Sequence, residues 1–194
     1  MEAYADIACK LIEAYADIPC GEARRRYLQL AGRPFREQLR LMGIPPEKIE
    51  TIAVKFEREK VGVLERAKPS RLVYERIEAL RRRGLKTALS TNNECKLMNS
   101  IPWARELFDI ILCHDPETGL RKGAPHVEVL EREGFKTCEI VFVGDADYDL
   151  EVYKPFNVKS IRTKGLWNPE DRAIEDIIKL LEGEHRCGER GYRP

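Results

Sequence analysis

The sequence contains no apolar run long enough to cross a bilayer and no charged-then-apolar leader at its start. Both absences predict a chain that neither spans a membrane nor enters an export route. It also has almost no net charge, +1 at pH 7. The broad positive field that holds a nucleic acid is therefore missing. Its six cysteines, at 9, 20, 95, 113, 138 and 187, include no C-x-x-C pair. In a chain this long and this regularly patterned we expect no disulfide framework, with Cys113 and Cys138 as small core residues in a reducing, cytoplasmic protein.

What is present is ample for folding. A length of 194 residues allows one sizeable core and a smaller lobe. Charged residues make up 35 % of the chain, a composition that can accompany thermophily. Two arginine triplets, at 24–26 and 81–83, fall in helical patterns and read as solvated faces or helix ends.

Residues 2–67 read as helix after helix. The motif EAYADI occurs at 2–7 and again at 13–18. An offset of eleven residues is close to three helical turns, so both copies should face one way. Pro19-Cys20-Gly21 ends the first helix, and further helices are predicted over 22–31, 34–42 and 46–61, punctuated by Gly43 and the pair Pro45-Pro46.

The pattern changes after Lys68. A helix beginning at Pro69-Ser70 carries Leu72, Val73, Ile77 and Leu80 on one face and should stop at Gly84. Strands are predicted over 85–90, 108–113, 139–143 and 158–162, with helices over 93–100, 124–133, 147–154 and 169–182 between and after them. Short apolar strands alternating with helices indicate a parallel sheet covered on both faces. The segment 183–194 has no apolar period and is expected to be a mobile tail.

Ligands bind beyond the carboxyl ends of the strands in such sheets. Thr91 and Asn92 follow the first strand, His114 and Asp115 the second, and Asp145, Asp147 and Asp149 the third. Asp145 follows Gly144, where backbone can approach a ligand closely. If the loop turns helical there, Asp145 and Asp149 converge and Asp147 points elsewhere. Two convergent carboxylates suit Mg²⁺, which takes oxygen ligands and keeps several waters. The alternative for Asp147 or Asp149 is a helix start, where a carboxylate caps N–H groups and favours the dipole. Thr91 and Asn92 could hold a phosphate together with the N–H groups of the next helix, or could be an ordinary cap. Lys122, just before a helix in GLRKGAPHVEVL, could neutralise a phosphate or a carboxylate pair, or stand solvated in a loop.

A strand ending in Thr-Asn, then Arg-Lys-x-x-Pro before a helix, then a strand into Gly-Asp-x-x-x-Asp, resembles the haloacid dehalogenase-like (HAD) hydrolases. The resemblance runs from about Lys68 to Leu181. Residues 2–67 resemble the inserted helical cap of the phosphoglycolate-phosphatase-like branch. It implies an α/β protein: a helical cap over 1–67 and a Rossmann-like parallel sheet core over 68–182. It further implies that Thr91 binds phosphoryl oxygens beside Asn92, that Lys122 offsets charge, and that Asp145 ligates Mg²⁺ with Asp149 ligating or supporting. The implied activity is Mg²⁺-dependent hydrolysis of a small phosphorylated metabolite, with no nucleic-acid or membrane partner. Two local departures stand out: Gly123-Ala124 replace the usual Pro-Asp, and Pro155-Phe156 replace a small-residue turn.

A third departure is larger. The family's first motif, a strand ending in Asp-x-Asp-x-Thr, supplies the nucleophile and the general acid–base, and this sequence does not contain it. Asp6 and Asp17 are the nearest aspartates, each in a helical pattern without an Asp two residues away. Phosphoryl transfer needs a group that attacks in line, so we expect little or no turnover and weaker Mg²⁺ binding. The resemblance also places that strand at the middle of the sheet, between the strand ending at Thr91 and the strand ending at Val143. The two could close together, a partner could fill the place, or the chain could be an incomplete version of a longer protein, which is our expectation. A non-catalytic phosphate-binding or regulatory protein is the competing function. A response-regulator receiver is excluded by motif order, and a hydrolase using Cys113, His114 and Asp115 by their adjacency on a strand end.

Overall fold

A computed structural model of the chain describes residues 2–67, 69–163 and 175–177. Two compact units divide it, the first Met1–Lys68 with Ala88–Arg121 and the second Pro69–Thr87 with Lys122–Pro194.

The first unit opens with four helices: α1 (Glu2–Ala16), α2 (Cys20–Gln29), α3 (Phe35–Leu41) and α4 (Pro46–Arg66). Pro19, Pro34 and Pro45 stand immediately before the last three, with φ of -54°, -55° and -56°. The proline ring fixes that φ and disfavours a helical residue before it, so each proline separates two helices. Ile12, Leu39, Ile52 and Phe56 are fully buried between the helices. The Phe35 and Phe56 rings stack at 3.8 Å, and Tyr27 packs against both at 6.0 Å. Burying an aliphatic or aromatic side chain of this size contributes roughly 1.5–3 kcal/mol. The repeated EAYADI does not keep one environment. Ala5 is fully buried, whereas the helix ends at Ala16 and Asp17 turns left-handed at φ 56°. The second copy runs off the helix before its pattern is complete.

The same unit contains a parallel pair, β1 (Ala88–Glu94) and β2 (Ile110–His114), joined through α6 (Cys95–Met98) and α7 (Pro102–Leu107). β1 starts later than expected because Leu85 is spent closing the preceding helix, its N–H donating to the Leu80 carbonyl at 3.3 Å. α7 begins with Pro102 at its first turn, a favoured place for proline.

The second unit begins with α5 (Arg71–Arg82), which buries Val73, Ile77 and Leu80 as the periodicity requires. Gly84 ends it at φ +79°. Then come α8 (Ala124–Arg132), β3 (Val141–Gly144), α9 (Asp147–Glu151) and β4 (Lys159–Arg162). β3 and β4 pair in parallel, Val141 opposite Lys159 through Gly144 opposite Arg162. α9 is shorter than its pattern suggests, and a 3-10 turn containing Pro155 replaces its continuation. The helix expected over 169–182 and the tail 183–194 lie outside the described residues, except that 175–177 are helical.

The expected parallel pairing is present, as two two-stranded sheets, β1–β2 and β3–β4. One expectation is corrected: the described cysteines are not free thiols, since Cys9 bonds Cys20, Cys95 bonds Cys113, and Cys138 is also disulfide-bonded. Pairing depends on proximity in space. The folded chain brings these Cα atoms to 4.5 and 4.9 Å, the separation a disulfide requires, although the partners stand 11 and 18 positions apart in sequence.

Candidate phosphate and metal site

In the second unit the site grows from the end of β3. Gly144 is buried there, and a Cβ on it would lie 2.7 Å from the Phe142 ring and 2.9 Å from Asp149 Cβ. Glycine is thus required for Asp149 to turn inward. Asp145 follows and is exposed; α9 begins only at Asp147, so backbone rather than helical periodicity places Asp145. The Asp149 carboxylate is buried and accepts a hydrogen bond from Lys122 Nζ at 2.7 Å, with side-chain exposures of 6 % and 11 %. Asp147 stays exposed and pairs with Arg162, whose guanidinium is held above its usual pKa by that hydrogen bond and charge.

Lys122 is delivered by an unusual turn. Gly123 adopts φ 96° and ψ -140°, and a Cβ on it would meet the Val152 carbonyl at 3.4 Å. Proline, locked near −65°, cannot take this conformation. The replacement of the family's usual Pro is therefore a change of loop geometry. Behind it, fully buried His126 lies 3.5 Å from the Tyr153 hydroxyl, and the Tyr153 ring packs on Phe142 at 4.2 Å.

Thr91 and Asn92 belong to the first unit. Ser90 pairs with Leu112 and Glu94 with His114, so three residues, 91–93, oppose Cys113 alone. The strand bulges, which takes these N–H groups out of the regular ladder and re-aims the side chains. Thr91 Oγ1 accepts a hydrogen bond from Asn93 N–H at 3.1 Å. The Asn92 amide donates to the Gly32 carbonyl at 2.7 Å, tying the bulge to the turn between α2 and α3. Glu94 accepts from Arg36 at 2.5 Å, and Arg36 also donates to both Glu50 oxygens at 3.0 and 2.9 Å. The Glu50 hydrogen bond is the largest influence holding Arg36 above its usual pKa, and Arg36 in turn lowers that of Glu50.

Behind them, Lys60 is 4 % exposed and ion-paired with Glu57 at 2.8 Å. Burial lowers the Lys60 pKa and raises that of Glu57, each opposed by the other's charge. Burial also lowers the His114 pKa. Sequence reasoning missed Arg36, Glu50, Glu57, Lys60 and Glu94. Partners as far apart as 36 and 94 leave no short-range signal.

The adjacent trio at the end of β2 performs no joint chemistry. Cys113 is in a disulfide, and Asp115 accepts from the Glu117 N–H at 2.9 Å in a turn closed by Asp115 N–H to the Leu120 carbonyl.

The donor set can be matched to a cation. Among the described residues no three His, Cys, Asp or Glu side chains converge as a metal cage. One exposed carboxylate, Asp145, lies four residues before a buried carboxylate that is paired with Lys122. This fits a largely hydrated Mg²⁺ held by one or two carboxylates, and does not fit a closed, all-protein site.

A parallel α/β core, a helical region and a Gly-Asp loop after β3 with a buried Lys–Asp pair describe a HAD-type protein. The haloacid dehalogenase-like hydrolase profile matches residues 7–163, and the chain belongs to that family. Its fold is similar to that of a Lactobacillus plantarum protein provisionally named a phosphoglycolate phosphatase. That match has a TM-score of 0.72 at 14% identity and covers 92% of this chain and 91% of the other. CbbY from Rhodobacter sphaeroides in complex with phosphate matches with TM-score 0.63 at 19% identity, covering 87% and 82%. CbbY is also known in complex with xylulose-(1,5)bisphosphate, with the same TM-score and identity and coverage of 87% and 81%. These likenesses establish the fold. No protein with curated annotation matches the chain by sequence. Among the described residues, no helix is long and apolar enough to cross a membrane.

Proposed function

We propose that this chain handles the phosphate and the cation of a HAD-type phosphomonoesterase acting on a small phosphorylated metabolite. The observation that carries the reading is the buried Lys122–Asp149 pair, with exposed Asp145 following directly on the carboxyl end of β3. Lys122 is tethered by Asp149 and supplies positive charge to phosphoryl oxygens. Asp145 holds Mg²⁺, and Asp149 supports the site through Lys122. Bound there, the cation would supply electrostatic stabilisation of the phosphoryl group. Thr91 donates a hydrogen bond from its hydroxyl to a phosphoryl oxygen. Asn92 acts chiefly by holding the bulge, since its amide is engaged with Gly32. Residues 1–67 serve as the cap and 68–182 as the core.

Hydrolysis by these 194 residues is expected to be negligible, because they contain no Asp-x-Asp-x-Thr. A cytoplasmic location is compatible with the disulfides, since intracellular proteins of hyperthermophiles are disulfide-rich, and the 35 % charged composition points the same way. The test is para-nitrophenyl phosphate hydrolysis with Mg²⁺, by this chain and by a version with an Asp-x-Asp-x-Thr strand added before residue 1. Activity only in the second supports the proposal. Activity in the first refutes the need for the missing motif. Inactivity of both, with measurable phosphate binding, favours a non-catalytic phosphate-binding protein.

A further inference from the structure

We infer that the Cys95–Cys113 disulfide is a positioning element for the Thr91–Asn93 bulge, so that phosphate binding by the chain depends on its oxidation. The argument begins with the register. Between Ser90 and Glu94, β1 advances four residues while β2 advances two, and Cys113 is the residue left opposite the bulge. A bulge of this size gives up ladder hydrogen bonds and frees the segment to move. Cys113 is 4 % exposed in β2, and its sulfur is bonded to Cys95, the first residue of α6 and the next after the strand. The covalent bond therefore closes the foot of the bulge onto the strand it has looped away from.

Two non-covalent ties hold the other parts. Asn92 reaches the Gly32 carbonyl at 2.7 Å, and Glu94 is held by Arg36 at 2.5 Å. Thr91 lies between ladder and ties, its hydroxyl accepting a hydrogen bond from the Asn93 N–H at 3.1 Å. A second observation supports an oxidised protein: every described cysteine is in a disulfide. Each thiol of the pair gives up one proton and one electron on bonding. The two electrons pass to an acceptor disulfide by exchange, and that acceptor leaves as a dithiol. A small dithiol reverses the reaction and ends as its own cyclic disulfide.

The inference rests on the proposed phosphate site, so its test has one readout that depends on that site and one that does not. Peptide mapping of the unreduced chain should recover residues 95 and 113 on one cross-linked fragment. Finding both as thiols overturns the inference. In the Cys95→Ser/Cys113→Ser variant, amide exchange over 91–95 should quicken by about tenfold or more. The Kd for inorganic phosphate with Mg²⁺ should weaken about threefold or more, as expected when a preorganised loop is freed. The Cys9→Ser/Cys20→Ser variant, which loses the cross-link between α1 and α2, should leave both quantities within about twofold. Unchanged exchange in the first variant overturns the inference, as does equal weakening in both variants. If the unaltered chain binds no phosphate, the proposed function fails, and the exchange rates decide the clamp by themselves.

Discussion

Replacing Lys122 by methionine tests the arrangement on which the functional reading rests. Methionine is close in length to the lysine stem but carries no charge. The Asp149 carboxylate, 6 % exposed and bonded to Lys122 at 2.7 Å, would remain buried without its counter-charge. Breaking one side of a buried pair typically costs 3–5 kcal/mol, and the 11 % exposure of Lys122 puts the expected loss near the lower end, about 3 kcal/mol. With a guanidinium m-value of roughly 4 kcal/mol/M, that lowers the unfolding midpoint by about 0.75 M. Adding Asp149→Leu removes the stranded charge and should recover most of the loss, bringing the double variant within about 1 kcal/mol of the unaltered chain. The assay is guanidinium unfolding of the unreduced proteins followed by circular dichroism, closed as a double-mutant cycle. A single-variant loss below about 1 kcal/mol, or a double variant as weak as the single, would show that the pair is not the buried, mutually dependent unit described.

Gly144→Ala should destabilise by about 1–3 kcal/mol, read from the same unfolding curves, because the new methyl meets Phe142 and Asp149 below 3.0 Å. Asp145→Asn should leave stability within about 0.5 kcal/mol, since the residue is exposed, while calorimetric Mg²⁺ binding weakens several-fold; unchanged Mg²⁺ affinity would remove Asp145 from the site. His114 adds a pH dependence. Its folded pKa lies below the ordinary 6.5, so the unfolded chain binds more protons just below that value, and stability falls as pH drops through 6.5. His114→Gln should flatten that slope in unfolding curves taken between about pH 5 and 7.

Much of the molecule was legible because its signals are local. The prolines before α2, α3 and α4, the apolar face of α5 and the stop at Gly84 all act within a few residues. So does the succession of Gly144, Asp145 and Asp149 after an apolar strand. The misses have one cause. Cys95 and Cys113, Asn92 and Gly32, and Glu94 and Arg36 meet only after the chain has folded. Their separations of 18, 60 and 58 residues lie far beyond the few neighbouring residues that local sequence signals relate.

The sequence by itself determined the class of elements, their order and the family, because backbone preference, apolar periodicity and short motifs are properties of neighbouring residues. Tertiary structure alone decided which aspartate turns inward, that Asn92 holds a turn, and that the thiols are joined. It also decided that Gly123 takes a backbone conformation closed to proline. Those outcomes depend on distances between segments remote in the chain, and such distances are set by packing.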